Sequence, residues 1–295
     1  MRVLLAGLLA PLIVTPTLTA KVAGFTKPCG SAASGRYLYV DSYGSGVLAR
    51  VDPATNRVVK RAKVAVAPCG VVAGGGSLWI EDFFDNAIIR VNPATMRVVR
   101  RIPVGVKPWD VAYGFGSVWS SNQGAGTVSR ISPRKGKVVK TIALHGASPT
   151  CIRAGAGSIW VASQATNTIY KIDPATNRVT PIDVGHQSEL CVDAHADGVW
   201  VSDDTANTVT RLDPKTGAIV ARTPVGSAPA DGTRGPDGLE WIPNLGDGTI
   251  SRIDPATNAV VDTVPVVAAP FVARTFFGSV WVGDFKGSQV WRLTP

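Results

Sequence analysis

Histidine, glutamate and methionine are scarce in this chain. Its 295 residues include three His, two Met and only three Glu, at positions 81, 189 and 240, and just 17% of the residues are charged. So low a charged fraction excludes a coiled coil or a protein of long surface helices, and a hydrophobic fraction of 45% excludes a disordered chain. The 31 glycines and 21 prolines instead recur along the whole chain, which predicts many short elements joined by turns.

Long apolar runs are also absent. The longest, over residues 3–14, is broken by Gly7 and Pro11 and follows the positive charge of Arg2. It is too short to cross a hydrocarbon core of ~30 Å. With the polar segment to Ala20 that follows, it predicts a secretory signal peptide over residues 1–20, and an uncleaved anchor is the alternative. We therefore expect a secreted or extracytoplasmic protein.

What the sequence does contain is an internal repeat with a spacing of 40 or 41 residues. Its first marker is a polar residue followed by proline, at Asp52-Pro53, Asn92-Pro93, Ser132-Pro133, Asp173-Pro174, Asp213-Pro214, Asp254-Pro255 and Thr294-Pro295. Its second marker is an aromatic residue, at Tyr39, Trp79, Trp119, Trp160, Trp200, Trp241 and Trp281. Its third is a cation two residues before each polar-proline pair, at Arg50, Arg90, Arg130, Lys171, Arg211, Arg252 and Arg292.

Each copy divides into four short strands separated by turn residues. Asp or Asn before Pro is the chemistry of a type I turn, because the side chain accepts a backbone N–H and proline presets φ. Four antiparallel strands per repeat are typical of a propeller blade. The sequence therefore predicts an all-β, seven-bladed β-propeller over residues 21–295, with blades starting near residues 28, 68, 108, 149, 188, 229 and 270.

The seventh copy ends at Pro295, before a fourth strand. The segment AKVAGFTKP at residues 20–28 is similar to AKVAVAP at residues 62–68, which follows the fourth strand of blade one. We therefore expect an N-terminal strand to complete blade seven, so that the ring has no open edge.

The repeat motifs also carry a family resemblance. DPATNRVV, NPATMRVV and SIWVASQATNTIYKIDPATNRV resemble YVTN-repeat (YncE-like) propellers, and GPDGLEWI resembles the repeats of the virginiamycin B lyase family. The resemblance covers residues 21–295 and implies a propeller. The resemblance to virginiamycin B lyase-like enzymes implies a site in the later blades where histidines and glutamates pair with magnesium. In this chain, however, blades six and seven contain no His, and their one Glu is Glu240. The catalytic residues of that family therefore have no matching positions in this chain.

The inner strands of the later blades carry charged residues at one repeat position. Counting seven residues back from the aromatic markers places Arg153, Asp193, Arg234 and Arg274 on the channel side of their strands, and counting nine back places Asp110 there. Arginine offers forked donors to carboxylates and phosphates, so these residues form a candidate site for a small anionic ligand. The alternative is a network in which the aspartates neutralise the arginines.

The loops of one face hold the other candidates. Trp109 and His186 enter the third and fifth blades and are candidate ligand contacts, and the exposed aromatics Phe83, Phe84, Phe271 and Phe285 of the same face either line a pocket or pack between loops. Asp203, Asp204 and Asp284 begin turns, where short acidic side chains are common, and carboxylates also suit calcium or magnesium. The sequence thus predicts no cofactor, with a divalent cation as the open alternative.

The four cysteines stand at equivalent positions of neighbouring repeats, 40 residues apart: Cys29 with Cys69, and Cys151 with Cys191. Equivalent positions on adjacent inner strands approach each other near the ring axis, within the ~4.4–6.8 Å Cα separation of a disulfide. An exported chain with an even number of cysteines oxidises them, so the sequence predicts these two disulfides. The alternation of side chains places Cys29 and Cys69 on the side of their strands that faces away from the channel. Their disulfide therefore requires that the start of the strand bring them together. A zinc site of four thiolates is disfavoured because the two pairs lie across the ring.

Basic residues concentrate on the outer strands and turns of the first three blades, at Arg57, Lys60, Arg61, Lys63, Arg97, Arg100, Arg101, Arg134, Lys135, Lys137 and Lys140. An exported protein rarely meets nucleic acid, so the charge predicts either peripheral contact with an anionic envelope or simple protection of the outer edges.

No motif for a catalytic site occurs. The chain has no Gly-x-Ser-x-Gly elbow, no phosphate loop and no cluster of His and Glu in the ligand-side loops. We therefore expect a monomeric binding or scaffold module for a small anionic ligand or an extracellular or envelope protein. The alternative is a virginiamycin B lyase-like or lactonase-like enzyme with a divergent metal site.

Overall fold

The computed structural model describes residues 15–164, 166–185 and 189–295. Within them the strands form seven sheets of four antiparallel strands, joined by turns and one short 3-10 segment, η1 (Gln123–Ala125). No helix in this part of the chain is long and apolar enough to span a membrane. Residues 1–14 of the predicted signal peptide, and the candidate His186, lie outside the described residues.

Consecutive strands form the first six blades. Blades one to three contain β2 (Pro28–Ser34), β3 (Tyr37–Ser42), β4 (Val47–Asp52), β5 (Arg57–Lys63), β6 (Val71–Gly74), β7 (Ser77–Asp82), β8 (Ala87–Val91), β9 (Val98–Pro103), β10 (Pro108–Gly114), β11 (Ser117–Asn122), β12 (Thr127–Ser132) and β13 (Lys137–Ala143). Blades four to six contain β14 (Pro149–Gly155), β15 (Ser158–Ser163), β16 (Thr168–Ile172), β17 (Val179–Asp183), β18 (Glu189–His195), β19 (Gly198–Asp203), β20 (Thr208–Leu212), β21 (Ile219–Pro224), β22 (Thr233–Arg234), β23 (Glu240–Asn244), β24 (Thr249–Asp254) and β25 (Ala259–Pro265). Blade seven contains β26 (Pro270–Phe276), β27 (Ser279–Asp284), β28 (Gln289–Thr294) and β1 (Thr17–Ala23).

The first strand of the chain closes the ring, which confirms the predicted closure. β1 pairs antiparallel with β28, with Val22 opposite Val290. Val22 and Phe25 are buried and pack against Val290 and Trp281 of blade seven. β1 begins inside the predicted signal peptide, at Thr17, but both of these buried contacts come from residues after the predicted cleavage point. Processing after Ala20 would leave the strand pairs of Lys21, Val22 and Ala23 in place and remove those of Thr17, Leu18 and Ala20.

The polar-proline pairs form the turns between the third and fourth strands. The side chain of Asp52 accepts the backbone N–H of Ala54 at 3.0 Å, and Asn92, Asp173, Asp213 and Asp254 make the same contact two residues on. Each turn ends in a residue with positive φ, the conformation that Asn and Gly tolerate best. These residues are Asn56, Met96, Gly136, Asn177, Gly217 and Asn258.

The aromatic and cationic markers link each blade to the next. Each marker Trp is almost fully buried, and a cation lies 4.7–5.2 Å from its ring centre. In six blades the marker cation then donates a hydrogen bond to a carbonyl in the turn of the following blade. These contacts are Arg50 to Ala94, Arg90 to Pro133, Arg130 to Pro174, Lys171 to Pro214, Arg211 to Pro255 and, across the closure, Arg292 to Pro53. Arg252 differs, because it pairs with Asp237 and Asp262 of its own blade.

Both predicted disulfides are present. Cys29 and Cys69 join blades one and two with their Cα atoms 4.9 Å apart, and Cys151 and Cys191 join blades four and five at 4.8 Å. The pairing register shifts at the start of the inner strands of blades one, three, four, five and seven, whereas Cys69 lies just before β6. A bulge sets two residues against one and so resets the alternation of side chains.

Blade six departs from the repeat. Its inner strand β22 has only two residues, and Asp231, just before it, bridges in parallel to Val272 of blade seven. The backbone N–H of Asp231 donates to Phe271 and its carbonyl accepts from Ala273. Asp231 therefore bridges to the inner strand of blade seven between residues that pair with their own blade, Pro229 with Asn244 before it and β22 after it.

Candidate functional site

Two of the three predicted arginines meet in the channel on a carboxylate that the sequence analysis did not select. Arg153 lies 2.6 Å from Asp110 and also pairs with Asp231, and Arg274 pairs with the same oxygen of Asp231. Burial lowers the pKa of Arg153, but the charges of Asp231 and Asp110 outweigh it and hold the pKa above its usual value. Two guanidinium groups thus face two carboxylates, and their formal charges balance. The small cavity beside them has a volume of about 60 Å³.

Arg234 does not join this network. Its Nε lies 2.7 Å from Glu240, and its terminal nitrogens bind Asp197 at 3.1–3.2 Å. Asp193, the fourth channel residue predicted from the repeat, pairs with His195 at 2.9 Å. The predicted channel set therefore divides into a central network and a second cluster at the hairpin end of β18.

The second cluster consists of Asp193, His195 and Glu240. His195 Nε2 lies 2.9 Å from Asp193 Oδ2 and 3.4 Å from Glu240 Oε1. Glu240 is fully buried, and burial raises its pKa to about 7 while Arg234 opposes the shift. No sequence motif marks this cluster, because Asp193 and His195 lie on β18 of blade five and Glu240 lies on β23 of blade six.

The opposite end of the channel opens into a larger pocket, which we call the mouth pocket. Its volume is about 410 Å³. The lining residues are Lys27, Tyr43, Ala67, Cys69, Glu81, Phe83, Trp109, Gln164, Asp204, Leu245, Phe271 and Phe285. Four of the five aromatic residues that the sequence placed on this face therefore line one pocket, together with Tyr43. Phe84 does not line it: its side chain is 60% exposed and stacks edge-on against Phe83.

The three acidic turn residues proposed as a cation site have separate roles. Asp203 is buried and accepts the backbone N–H groups of Thr205 and Ala206. Asp204 lines the mouth pocket, and one of its buried oxygens has no hydrogen-bond partner within the described residues. In the part of the chain that the structure describes, two groups of His, Cys, Asp or Glu bring their ligand atoms within 4.8 Å of one another. Neither group includes Asp203, Asp204 or Asp284.

Two more carboxylates are buried between the first blades. Asp41 accepts the backbone N–H of Gly30 at 2.8 Å, and burial raises its pKa to about 8. Glu81 accepts the N–H of Cys69, and burial together with the charge of Asp41 raises its pKa well above the usual value. The glycines at repeat position nine make room for these groups, because a Cβ on Gly30 would lie 2.7 Å from Asp41 Oδ2. Glu81 also lines the mouth pocket.

Asp231 is the functional residue that sequence reasoning missed most clearly. It stands ten residues before the marker Trp241, where the other blades have Cys, Trp, Thr, Leu or Phe. An acidic residue at this repeat position in one blade alone was a usable signal. Its partner Arg153 is 78 residues away, however, and the contact depends on the strand exchange of blade six.

Comparison with known proteins supports the fold and little more. No protein-family model matches the chain, and no curated protein matches its sequence. Among solved structures, a streptogramin B lyase is similar with a TM-score of 0.84 and 16% identity, covering 95% of this chain and 97% of that one. Virginiamycin B lyase from Staphylococcus aureus gives 0.82 and 16%, covering 95% and 100%.

The WD40 propeller domain of Doa1 matches nearly as well, with a TM-score of 0.81 and 12% identity over 96% of this chain and 98% of that one. Similarity at this level follows architecture rather than activity. The chain is a seven-bladed β-propeller with the fold of virginiamycin B lyase.

Proposed function

We propose that the protein is an exported binding module whose mouth pocket takes a small aromatic ligand with a cationic or hydrogen-bond-donating group. The observation that carries the proposal is the combination of five aromatic side chains and the unpaired, buried oxygen of Asp204 in one pocket of about 410 Å³. Small-molecule sites in proteins have volumes of ~300–1,000 Å³, with apolar walls and a few polar groups that orient the ligand.

The aromatic walls suit a flat or cationic ligand. Tyr43 and Phe271 each contact Phe285, with ring centres 5.9 and 5.0 Å apart, and Phe83 contacts Trp109 at 6.0 Å. These contacts between rings fix the angles of the pocket's aromatic faces and edges. An aromatic group of the ligand can therefore stack on them without the entropy cost of ordering the pocket side chains. The faces also attract a cation.

The polar groups of the pocket favour a donor on the ligand. A buried oxygen without a partner costs ~1–3 kcal/mol, and a ligand N–H placed on Asp204 would remove that cost. Gln164 lies on the same pocket and offers both a donor and an acceptor, and Lys27 is the one cation among the described residues that line it. The arginines of the channel are already paired with Asp110 and Asp231, so they offer less to an anion than the sequence suggested.

Export is supported by the two disulfides, which persist in oxidising compartments. A ligand-binding role is supported by the structure of a catalytically inactive Staphylococcus aureus virginiamycin B lyase with quinupristin, whose fold matches with a TM-score of 0.81 and 15% identity. That complex makes quinupristin a natural first probe for the mouth pocket of this chain.

Saturation-transfer NMR with matched amines and acids tests the proposal. The probes are tryptamine with indole-3-propionate, and phenethylamine with hydrocinnamate, so that each pair differs mainly in the charged group. We expect transfer to the amines, which is lost in Asp204→Asn and in Phe285→Ala. Phe84→Ala and Asp85→Asn are the matched controls, because both residues lie on the same face outside the pocket and are at least half exposed.

Binding of the acids in place of the amines, abolished by Arg274→Gln and unaffected by Asp204→Asn, would establish the anion site and overturn this proposal. Incubation of quinupristin with the protein and Mg²⁺, followed by chromatography, tests the lyase alternative: conversion that depends on the mouth pocket would show an enzyme rather than a binding module.

A further inference from the structure

The cluster of Asp193, His195 and Glu240 has the composition of a metal site. Asp193 and His195 are two residues apart on β18 and so project from the same side of the strand. Glu240 opens β23 of the next blade, beside the hairpin of blade six. The three residues lie at the end of the channel away from the mouth pocket, and none of them lines that pocket.

The distances between their ligand atoms match a coordination polyhedron. His195 Nε2 lies 2.9 Å from Asp193 Oδ2 and 3.4 Å from Glu240 Oε1, and all three ligand atoms lie within 4.8 Å of one another. Metal–ligand bonds of ~2.0–2.1 Å give edges of about 2.9 Å in an octahedron and about 3.3 Å in a tetrahedron. A first-row cation therefore fits among these atoms with small side-chain movements.

A second observation points to a missing ligand. Glu240 is fully buried, and its other oxygen, Oε2, has no hydrogen-bond partner in the described part of the chain. Beside it stand the carboxylates of Asp193 and Asp197 and the guanidinium of Arg234, and Arg211 adds a second positive charge near Asp197. The buried Glu240 Oε2 therefore offers its lone pairs to a bound cation.

We propose that Asp193, His195 and Glu240 bind one divalent first-row metal ion, best matched by Zn²⁺. One imidazole and two carboxylates are the donors that zinc accepts, and the imidazole selects against calcium and magnesium, which prefer oxygen ligands throughout. The site is independent of the proposed ligand pocket, since it lies at the opposite end of the channel.

Arg234 occupies the cluster when no metal is bound. Its Nε donates to Glu240 Oε1 at 2.7 Å, the same oxygen that faces His195. Asp197 holds the other end of the guanidinium with three contacts of 3.1–3.2 Å, so Arg234 keeps a partner when a metal displaces it from Glu240. Arg234 is therefore a positioning residue that competes with the metal.

Zinc titration of the purified, chelator-treated protein tests the site. Calorimetry with ZnCl₂ in the presence of excess MgCl₂ and CaCl₂ should show one ion bound per chain. His195→Gln and Asp193→Asn should each weaken binding by at least about 100-fold. Arg234→Gln should tighten it by about tenfold or more, because a positive charge within hydrogen-bonding distance of a ligand is removed. His145→Gln is the matched control and should bind as the parent protein does.

A readout on the unaltered protein guards against variants that fail to fold. Diethylpyrocarbonate modification, followed by mass spectrometry, should be reduced by Zn²⁺ at His195 and unchanged at the exposed His145. Zinc uptake that survives His195→Gln in a folded variant, protection confined to His145, or the absence of uptake at micromolar zinc would each overturn the proposal.

Discussion

At the scale of single residues, the side chains that depart from the repeat are the ones that carry chemistry. Asp231 is the only acidic residue at its repeat position, and it accepts both Arg153 and Arg274. Arg252, the one marker cation that pairs within its own blade, lies in the same blade. The regular positions build the ring, and the departures from them supply the charged contacts of blade six.

Asp41 gives a prediction at this scale. Its folded pKa of about 8 lies above the ordinary value of ~3.9 of an unfolded chain, so the folded state retains a proton that the unfolded state has lost. The stability that it contributes is complete below about pH 4 and is lost as the pH rises through 8. We expect Asp41→Asn to be more stable than the parent above about pH 7, by on the order of 1 kcal/mol or more. The reason is that Asn does not ionise in the unfolded chain and so does not favour unfolding as the pH rises.

Urea denaturation at about pH 5, 7 and 9 measures this difference, which should grow with pH. Asp85→Asn, at a half-exposed position, should show no such trend. A difference between Asp41→Asn and the parent that stays constant across this range would contradict the buried, proton-retaining carboxyl.

At the scale of strands and turns, most of the structure was readable from the sequence. Turn chemistry at Asp52 and its equivalents, and the buried aromatic markers, depend on residues close in the chain, so their patterns predict them. The register shift beside Cys29 leaves no local signature, because it depends on how two strands pair. The pairing of Asp110 with Arg153 agrees with the predicted network of aspartates and arginines, whereas the bridge of Asp231 to blade seven was not predictable, because it depends on contacts between blades.

The disulfides should contribute strongly to the ring. Each closes a separation of 40 residues, and the loss of chain entropy in the unfolded state corresponds to about 4 kcal/mol. We expect the double variant Cys29→Ser/Cys69→Ser to lose stability of this order, measured as the free energy of unfolding in urea under non-reducing conditions. The variant Cys151→Ser/Cys191→Ser provides the comparison, and a negligible loss in both would contradict stabilisation through the entropy of the unfolded chain.

The closing strand gives a matched pair of substitutions. Val22 on β1 is 3% exposed, whereas Val59 on the outer strand β5 is 48% exposed. Val22→Ala removes two buried methyl groups and should lower the free energy of unfolding by about 1–2 kcal/mol. Val59→Ala should change it by less than about 0.5 kcal/mol. Equal effects on thermal unfolding would indicate that β1 does not contribute to the cooperative unit.

At the scale of the whole molecule, charge is distributed unevenly around the ring. The outer strands β5, β9 and β13 are largely exposed and rich in Lys and Arg, whereas β17, β21 and β25 contain Arg222 as their only cation. Several of the basic side chains also bridge blades, as Lys60 does to Thr95. The first three blades therefore present a basic flank, made of these three outer strands, to the surroundings.

We expect this basic flank to bind anionic membranes weakly. Sedimentation with phosphatidylglycerol vesicles at low salt should recover the protein, and high salt should release it because exposed charges are screened. Replacing Lys60, Lys63, Lys137 and Lys140 with Gln should weaken binding by at least about tenfold. The control Arg178→Gln/Lys215→Gln changes turns of the later blades, and a loss of equal size there would show that only net charge matters.

The strand exchange at blade six has a consequence for symmetry. A ring of seven equivalent repeats offers an axial ligand seven equivalent orientations, and a ligand that can rotate among them is held without a defined direction. The transfer of Asp231 into blade seven breaks this equivalence at one position and fixes an azimuth for the groups around the axis. The interior of the propeller thereby acquires a direction, in which each atom of a bound molecule meets one particular neighbour.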